Sequence, residues 1–186
     1  MRKEFGVKAI LYPQPVLILA SYDKEGNVWA MNAAWGGISE ENEISVCLTP
    51  THKTVVCAVE QGYLTISPGT AKEVVACDYV GISTGNRDAD KMKKSGWHFE
   101  KAPHINAPII KELPMTIECK IKEYNTDTCI MKLEIVNVLV DDSVLTEGKI
   151  DVEKLQPIAF DAANRAYVKL TEKVGDAFKS GLTLMK

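Results

Sequence analysis

The sequence contains no C-x-x-C pair, no G-x-S-x-G elbow, no Walker phosphate loop, no basic stripe and no apolar run long enough to span a bilayer. Each absence removes a class of function. Cys47, Cys57, Cys77, Cys119 and Cys129 stand apart, as do His52, His98 and His104, so no short-spaced ligand set for zinc is present and no metal is expected. The thiols are odd in number and mostly set in apolar runs. They read as reduced and buried, which points to a cytoplasmic protein. The missing elbow and the scattered histidines leave no local basis for a Ser or Cys hydrolase. A net charge of −3 provides no phosphate-tracking surface, so neither nucleic acid nor an anionic membrane is an expected partner. The start, MRKEFGVKAILYPQPVLILA, is basic and later apolar, but Pro13 and Pro15 interrupt it and it does not read as an export signal.

What remains is an ordinary globular composition, 46% hydrophobic and 25% charged over 186 residues, and residues 1–186 read as one domain. PVLILASYD is a buried strand, DKEGN a turn, and VWAMNAAW the returning strand of a hairpin. EISVCL is a third strand. THKTVVCAVEQG predicts a helix capped by Thr51 and ended by Gly62; after the strand YLTIS, TAKEVVACDYVGIS predicts a second helix with Thr70 as its cap. The polar, Gly- and Pro-containing stretch from Thr84 to Pro108 reads as a long functional loop. MTIECKIKEY alternates with period two, and TCIMKLEIVNVLVDD does so until its phase changes at Ile135 and Val136, where one extra residue in a β-bulge would swap the faces. The tail reads as an extended piece followed by a helix from about Asn164. The sum is a mainly β chain with inserted helices, built on an antiparallel barrel.

Three polar features converge at one end of such a barrel. WAMNAAWGG, Trp29 to Gly37, crowds an amide, two alanines, an indole and two glycines together, either as a tight corner with Trp35 plugging the core or as a ligand wall. TPTHKT, Thr49 to Thr54, leads into a helix whose first turn carries free N–H groups and partial positive charge; with His52 and Lys53 it is either a phosphate cradle or a simple cap. STGNRDADK, Ser83 to Lys91, offers hydroxyls, a glycine and a lysine.

Taken together, these residues resemble the flavin reductase-like proteins with the FMN-binding split barrel, and among them the flavoredoxin-like branch. The likeness rests on Pro15 with its apolar strand, the turn from Asp23 to Asn27, MNAAWGG, THKT, TGNRDADK, the strand pair from Met115 to Val140, and YVKLTEKVGDAFKSG. It implies a split β-barrel of antiparallel, Greek-key-like order, a homodimer, and one FMN near each subunit interface. Asn32, Ala33, Ala34 and Trp35 would lie against the isoalloxazine, largely through the backbone. Thr49, Thr51, His52, Lys53 and Thr54 would hold the ribityl phosphate, and Lys91 would favour the reduced ring. The resemblance implies electron transfer through FMN between a donor, NADH, NADPH or a small redox protein, and an acceptor. The alternative is a flavin carrier, store or sensor without turnover. In one place the chain departs from the pattern: NTDTC, Asn125 to Cys129, stands where many relatives carry a Gly-Asp-His turn, which bears on nicotinamide oxidation more than on FMN binding.

Overall fold

The apolar run from Val16 to Ala20 is buried on both of its faces, which is why it lacks alternation. In the computed structural model, which describes residues 1–185, Leu19 points into a core with Met31, Val46, Leu64 and Leu133. Its neighbours Ile18 and Ala20 face a second core with Ala30, Cys77, Val80 and Ile110. Each large side chain taken out of water in this way contributes about 1.5–3 kcal/mol before chain entropy is set against it.

The elements follow in order. Strands β1 (Gln14–Pro15), β2 (Leu17–Tyr22), β3 (Val28–Ala33), β4 (Gly36–Glu40) and β5 (Glu43–Cys47) precede helix α1 (Lys53–Gln61). Strand β6 (Tyr63–Pro68) leads to α2 (Val74–Ile82) and α3 (Lys91–Ser95), then to β7 (Phe99–Lys101) and β8 (Pro108–Ile110). The long strands β9 (Met115–Asn125) and β10 (Ile130–Val140) are followed by β11 (Leu145–Thr146), β12 (Lys149–Ile150), α4 (Val152–Leu155), β13 (Ile158–Asp161) and β14 (Ala166–Lys169). One seven-stranded antiparallel sheet runs β3-β2-β6-β9-β10-β5-β4. Its two border strands, β3 and β4, are consecutive in the chain and joined only through Ala34 and Trp35. The sheet therefore curls into a barrel split at that corner. Helix α1 closes the inner core through Val55 and Ala58, and α2 lies against the other side of β3 through Cys77 and Val80. No described helix is long and apolar enough to cross a membrane.

The hairpin of β2 and β3 and the bulge in β10 fall where the sequence pattern puts them, with a register shift between Ile135 and Asn137. Four features differ. Gly36 and Gly37, for which one reading was a tight corner, begin an edge strand, Gly36–Glu40, because pairing with β5 compensates for the lack of an apolar pattern. The caps differ as well: α1 starts after His52 and α2 after Glu73, with no side-chain cap from Thr51 or Thr70, while Gly62 ends α1 with a left-handed φ of 75°. The stretch from Thr84 to Pro108 is folded rather than irregular. Two clips hold it: His98 and His104 each donate a backbone N–H to the carboxylate fourteen residues on, Glu112 or Glu118, and their Nδ1 atoms meet the same carboxylates at 2.7 Å. Finally, residues 164–185 form strand β14 and a 3-10 turn (Ser180–Leu184) instead of a helix. Tyr167 is drawn toward α2 by a 2.8 Å bond to Asp78, and sheet pairing with β13 overrides the helical pattern.

Candidate functional site

The turn Asp23–Asn27 supports the site from behind, through Trp29. Asp23 accepts from the backbone N–H of Glu25 and Asn27 at 3.0 and 2.8 Å, and from the Trp29 indole at 2.9 Å. Burial pushes its carboxyl up, but these bonds outweigh burial and hold it below the usual range. The indole is thereby fixed flat, and Lys53 lies across it with Nζ 5.3 Å from the ring centroid, a cation–π contact that aims the first turn of α1. Gly85 packs on the same ring. A Cβ there would stand 2.5 Å from two ring carbons, so only glycine lets this loop approach.

These contacts frame a cavity of about 190 Å³ lined by Asn32, His52, Lys53, Thr54, Ser83 and Thr84, with Lys91 at its base. The α1 N-terminus at its edge has no side-chain cap, so its first-turn N–H groups are available. Asn32 is positioned by a 3.1 Å bond from Nδ2 to the Cys77 carbonyl of α2. Lys91 is 3% exposed, and its Nζ donates to the carbonyls of Val80 and Ser83 at 2.8 and 3.0 Å. Burial pulls this ammonium down to about 8, with Asp88 acting in the opposite sense. Two ammonium groups, an imidazole, hydroxyls and an open helix start converge here, a donor set suited to an anion.

A second cavity, of about 410 Å³, lies on the other side of Ala33. Its walls are largely apolar and come from Pro13, Gln14, Ala34, Trp35, Cys47 and Ile130 among others. Trp35 is 59% exposed, so it walls this cavity and does not plug the core. Only four residues separate Cys47 at one cavity from His52 at the other, and only Ala33 stands between Asn32 and Ala34. The two hollows thus flank one short stretch of main chain.

Of the residues singled out from the sequence, Asn32, His52, Lys53, Thr54 and Lys91 meet at the polar cavity, whereas Ala34 and Trp35 belong to the apolar one. Lys91 therefore stands at the polar cavity and not beside the apolar walls. Ala33 packs toward the core between the two. Thr49 and Thr51 are exposed and line neither; the Thr49 carbonyl accepts from His52 N–H, and the Thr51 carbonyl from Asn86 Nδ2 at 2.9 Å. Gln14, Cys47 and Ile130 were not anticipated. The signal for Gln14 was a polar residue between two prolines ahead of an apolar strand. The turn Asn125–Cys129 is closed by Asn125 Oδ1, which accepts from the N–H of Asp127 and Thr128, and its Cys129 carbonyl accepts from Leu48 N–H at 2.7 Å.

A curled antiparallel sheet opened at one corner, with a cation-lined hollow and an apolar hollow on either side of that corner, defines a split-barrel protein. The chain belongs to the flavin reductase like domain family, whose model matches residues 9–165. Among solved structures, the flavoredoxin of Desulfovibrio vulgaris (Miyazaki F) is 33% identical, with 97% of this chain and 100% of that chain covered and a TM-score of 0.92. The flavoredoxin from Methanosarcina acetivorans is 23% identical over 100% of this chain and 98% of that one, with a TM-score of 0.85. Nitrilotriacetate monooxygenase component B from Bacillus cereus is 21% identical, covers 89% and 88%, and has a TM-score of 0.75. No curated protein matches the chain.

Gly85→Ala is expected to lower FMN affinity by about tenfold, roughly 1.4 kcal/mol, and to lower the melting temperature, because the added methyl must push the Ser83–Gly85 loop off Trp29. Fluorimetric titration and a thermal melt read the two effects together.

Proposed function

We propose that the chain is an FMN-binding oxidoreductase that passes electrons from a donor to an acceptor through the flavin. The observation that carries this reading is the pairing of the two cavities along one stretch of backbone. The phosphate would lie among the α1 amides, Lys53, Thr54, Ser83 and Lys91, and the ring would lie against Ala34 and Trp35. The uncapped α1 start beside Lys53, Thr54 and Ser83 fits a phosphate; the apolar walls fit a flat ring. When bound, FMN supplies hydride and single-electron chemistry. The chain itself would hold the anion and present main-chain N–H groups near Ala34 to charge on the ring.

A carrier or sensor without turnover is the second reading, favoured by the absence of histidine from the Asn125–Cys129 turn beside the apolar cavity. A homodimer is part of the proposal. Trp35, Ile38, Val136 and Val138 are exposed apolar residues on or beside strands β4 and β10, and a second copy would cover them.

The test is calorimetric titration of the apoprotein with FMN, followed by anaerobic addition of NADH and of NADPH. Saturable one-to-one uptake is expected. Bleaching by a nicotinamide selects the oxidoreductase with that donor; bleaching only by a reduced redox protein moves the donor to that class. No uptake of FMN removes the proposal.

A further inference from the structure

Lys53 is half-buried in the wall of the polar cavity, and among the described residues no carboxylate forms an ion pair with it. Elsewhere on the molecule Lys24, Lys94, Lys122, Lys132 and Lys173 each have one. What holds Lys53 instead is the Trp29 ring, whose centroid lies 5.3 Å from Nζ. Trp29 is held in turn. Its indole N–H donates to Asp23 at 2.9 Å, and Gly85 packs against its six-membered ring. The turn that carries Asp23 also reaches the far end of α1, where Gln61 Nε2 donates to the Asp23 carbonyl at 3.1 Å. The helix is thus tied to one turn at both ends, and at its start the tie is an aromatic face.

A carboxylate in that place would fix the ammonium equally well, but it would cancel the charge and an incoming anion would have to displace it. An aromatic face attracts a cation through its quadrupole and carries no net charge. The ammonium is therefore placed without being neutralised. We infer that Trp29 is a positioning residue for Lys53, and that through it the chain distinguishes a phosphorylated flavin from the same flavin without its phosphate. The inference rests on the FMN reading. An anion entering beside Thr54 and Ser83 meets a cation whose side chain is already ordered, which removes part of the entropy cost of binding. Riboflavin has no anionic end and gains nothing from this arrangement, since neither Trp29 nor Lys53 lines the apolar cavity.

The experiment titrates FMN and riboflavin into the wild type, Trp29→Leu, Trp29→Phe, Lys53→Met and the double variant Trp29→Leu/Lys53→Met. The wild type is expected to prefer FMN by at least about tenfold, and Trp29→Leu to bind FMN about tenfold more weakly while its riboflavin affinity stays within about twofold. Trp29→Phe, which keeps a ring face, is expected to retain FMN affinity within about threefold of the wild type. On the Lys53→Met background the leucine is expected to change FMN affinity by no more than about twofold, because the group it acts through is already gone. A Trp29→Leu chain that does not fold, that weakens FMN and riboflavin alike, that keeps the wild-type preference, or that adds its full loss to that of Lys53→Met overturns the inference and makes Trp29 structural. The wild-type titration with FMN separates this from failure of the cofactor reading: uptake there leaves that reading standing whatever the variants do, and its absence removes both.

Discussion

Lys91→Met weakens FMN binding by at least about tenfold while moving the melting temperature by only a few degrees; that is the result expected from the geometry at the base of the polar cavity. The Nζ spends two of its three donors on the carbonyls of Val80 and Ser83, which leaves the third for an anion. A hydrogen bond to a charged group is worth about 1.5–3 kcal/mol, and here it is made at a site 3% exposed. Stability changes little because methionine gives up two bonds to carbonyls but also removes a desolvated charge, and the two effects oppose. The pH dependence has a definite sign. Burial holds the free ammonium at about 8, while the FMN phosphate is already dianionic in that interval. Anion binding favours the charged lysine, so affinity is full below about pH 8 and falls as pH rises through it, up to the higher pKa of the complex. Calorimetry across that interval should show the slope in the wild type and none in Lys91→Met. A slope that persists in the variant would assign it to another group.

Glu118→Ala should have the larger effect on the fold. Glu118 is 0% exposed; its carboxylate accepts from His104 N–H at 3.0 Å, Asn137 Nδ2 at 3.0 Å and His104 Nδ1 at 2.7 Å. Burial pushes the carboxyl up, but the bonds from His104 and Asn137 outweigh it and keep the group below the ordinary glutamate range. Removing it leaves those donors without their acceptor and unfastens the segment before β8, a loss of about 1–3 kcal/mol. For a chain of this size that is a fall in melting temperature of roughly 2–12 °C. Glu118→Gln should lose less, since its carbonyl still accepts. The wild-type contribution is complete above the unfolded glutamate value of about 4.3 and disappears as pH drops through the lowered folded value, so an acid titration of the wild type should be steeper than that of Glu118→Ala. Because Glu118 lines neither cavity, FMN affinity of the folded variant should be unchanged. A melting temperature indistinguishable from wild type would contradict the account.

The barrel was legible in the sequence wherever one residue pattern had one cause. The period-two run at Met115–Ile121 and the phase change at Ile135 became β9 and the β10 bulge, because a half-wet strand must alternate. Strand β4 was invisible, since Gly36, Gly37 and Ser39 have no local preference and exist as a strand only by pairing with β5. The helix expected after Asn164 failed because the tail's apolar spacing suited a helix while β13 offered an unpaired edge. At the site, residues carrying charge or hydroxyls, Lys53, Thr54 and Lys91, were readable as a group. The apolar cavity was not: its walls come from four separate stretches, around Pro13, Trp35, Val46 and Ile130, and only closure of the sheet brings these together.

The three tryptophans give the molecule a built-in optical readout. Trp35 faces solvent at the apolar hollow, Trp29 lies under Lys53 at the polar one, and Trp97 is buried with its indole N–H held 3.0 Å from Glu73, away from both. Red-shifted emission therefore comes mainly from the first, and blue-shifted emission from the last. A chromophore settling at the barrel's open corner dims the long-wavelength component before the short one, so the position of the residual band reports which hollow has filled.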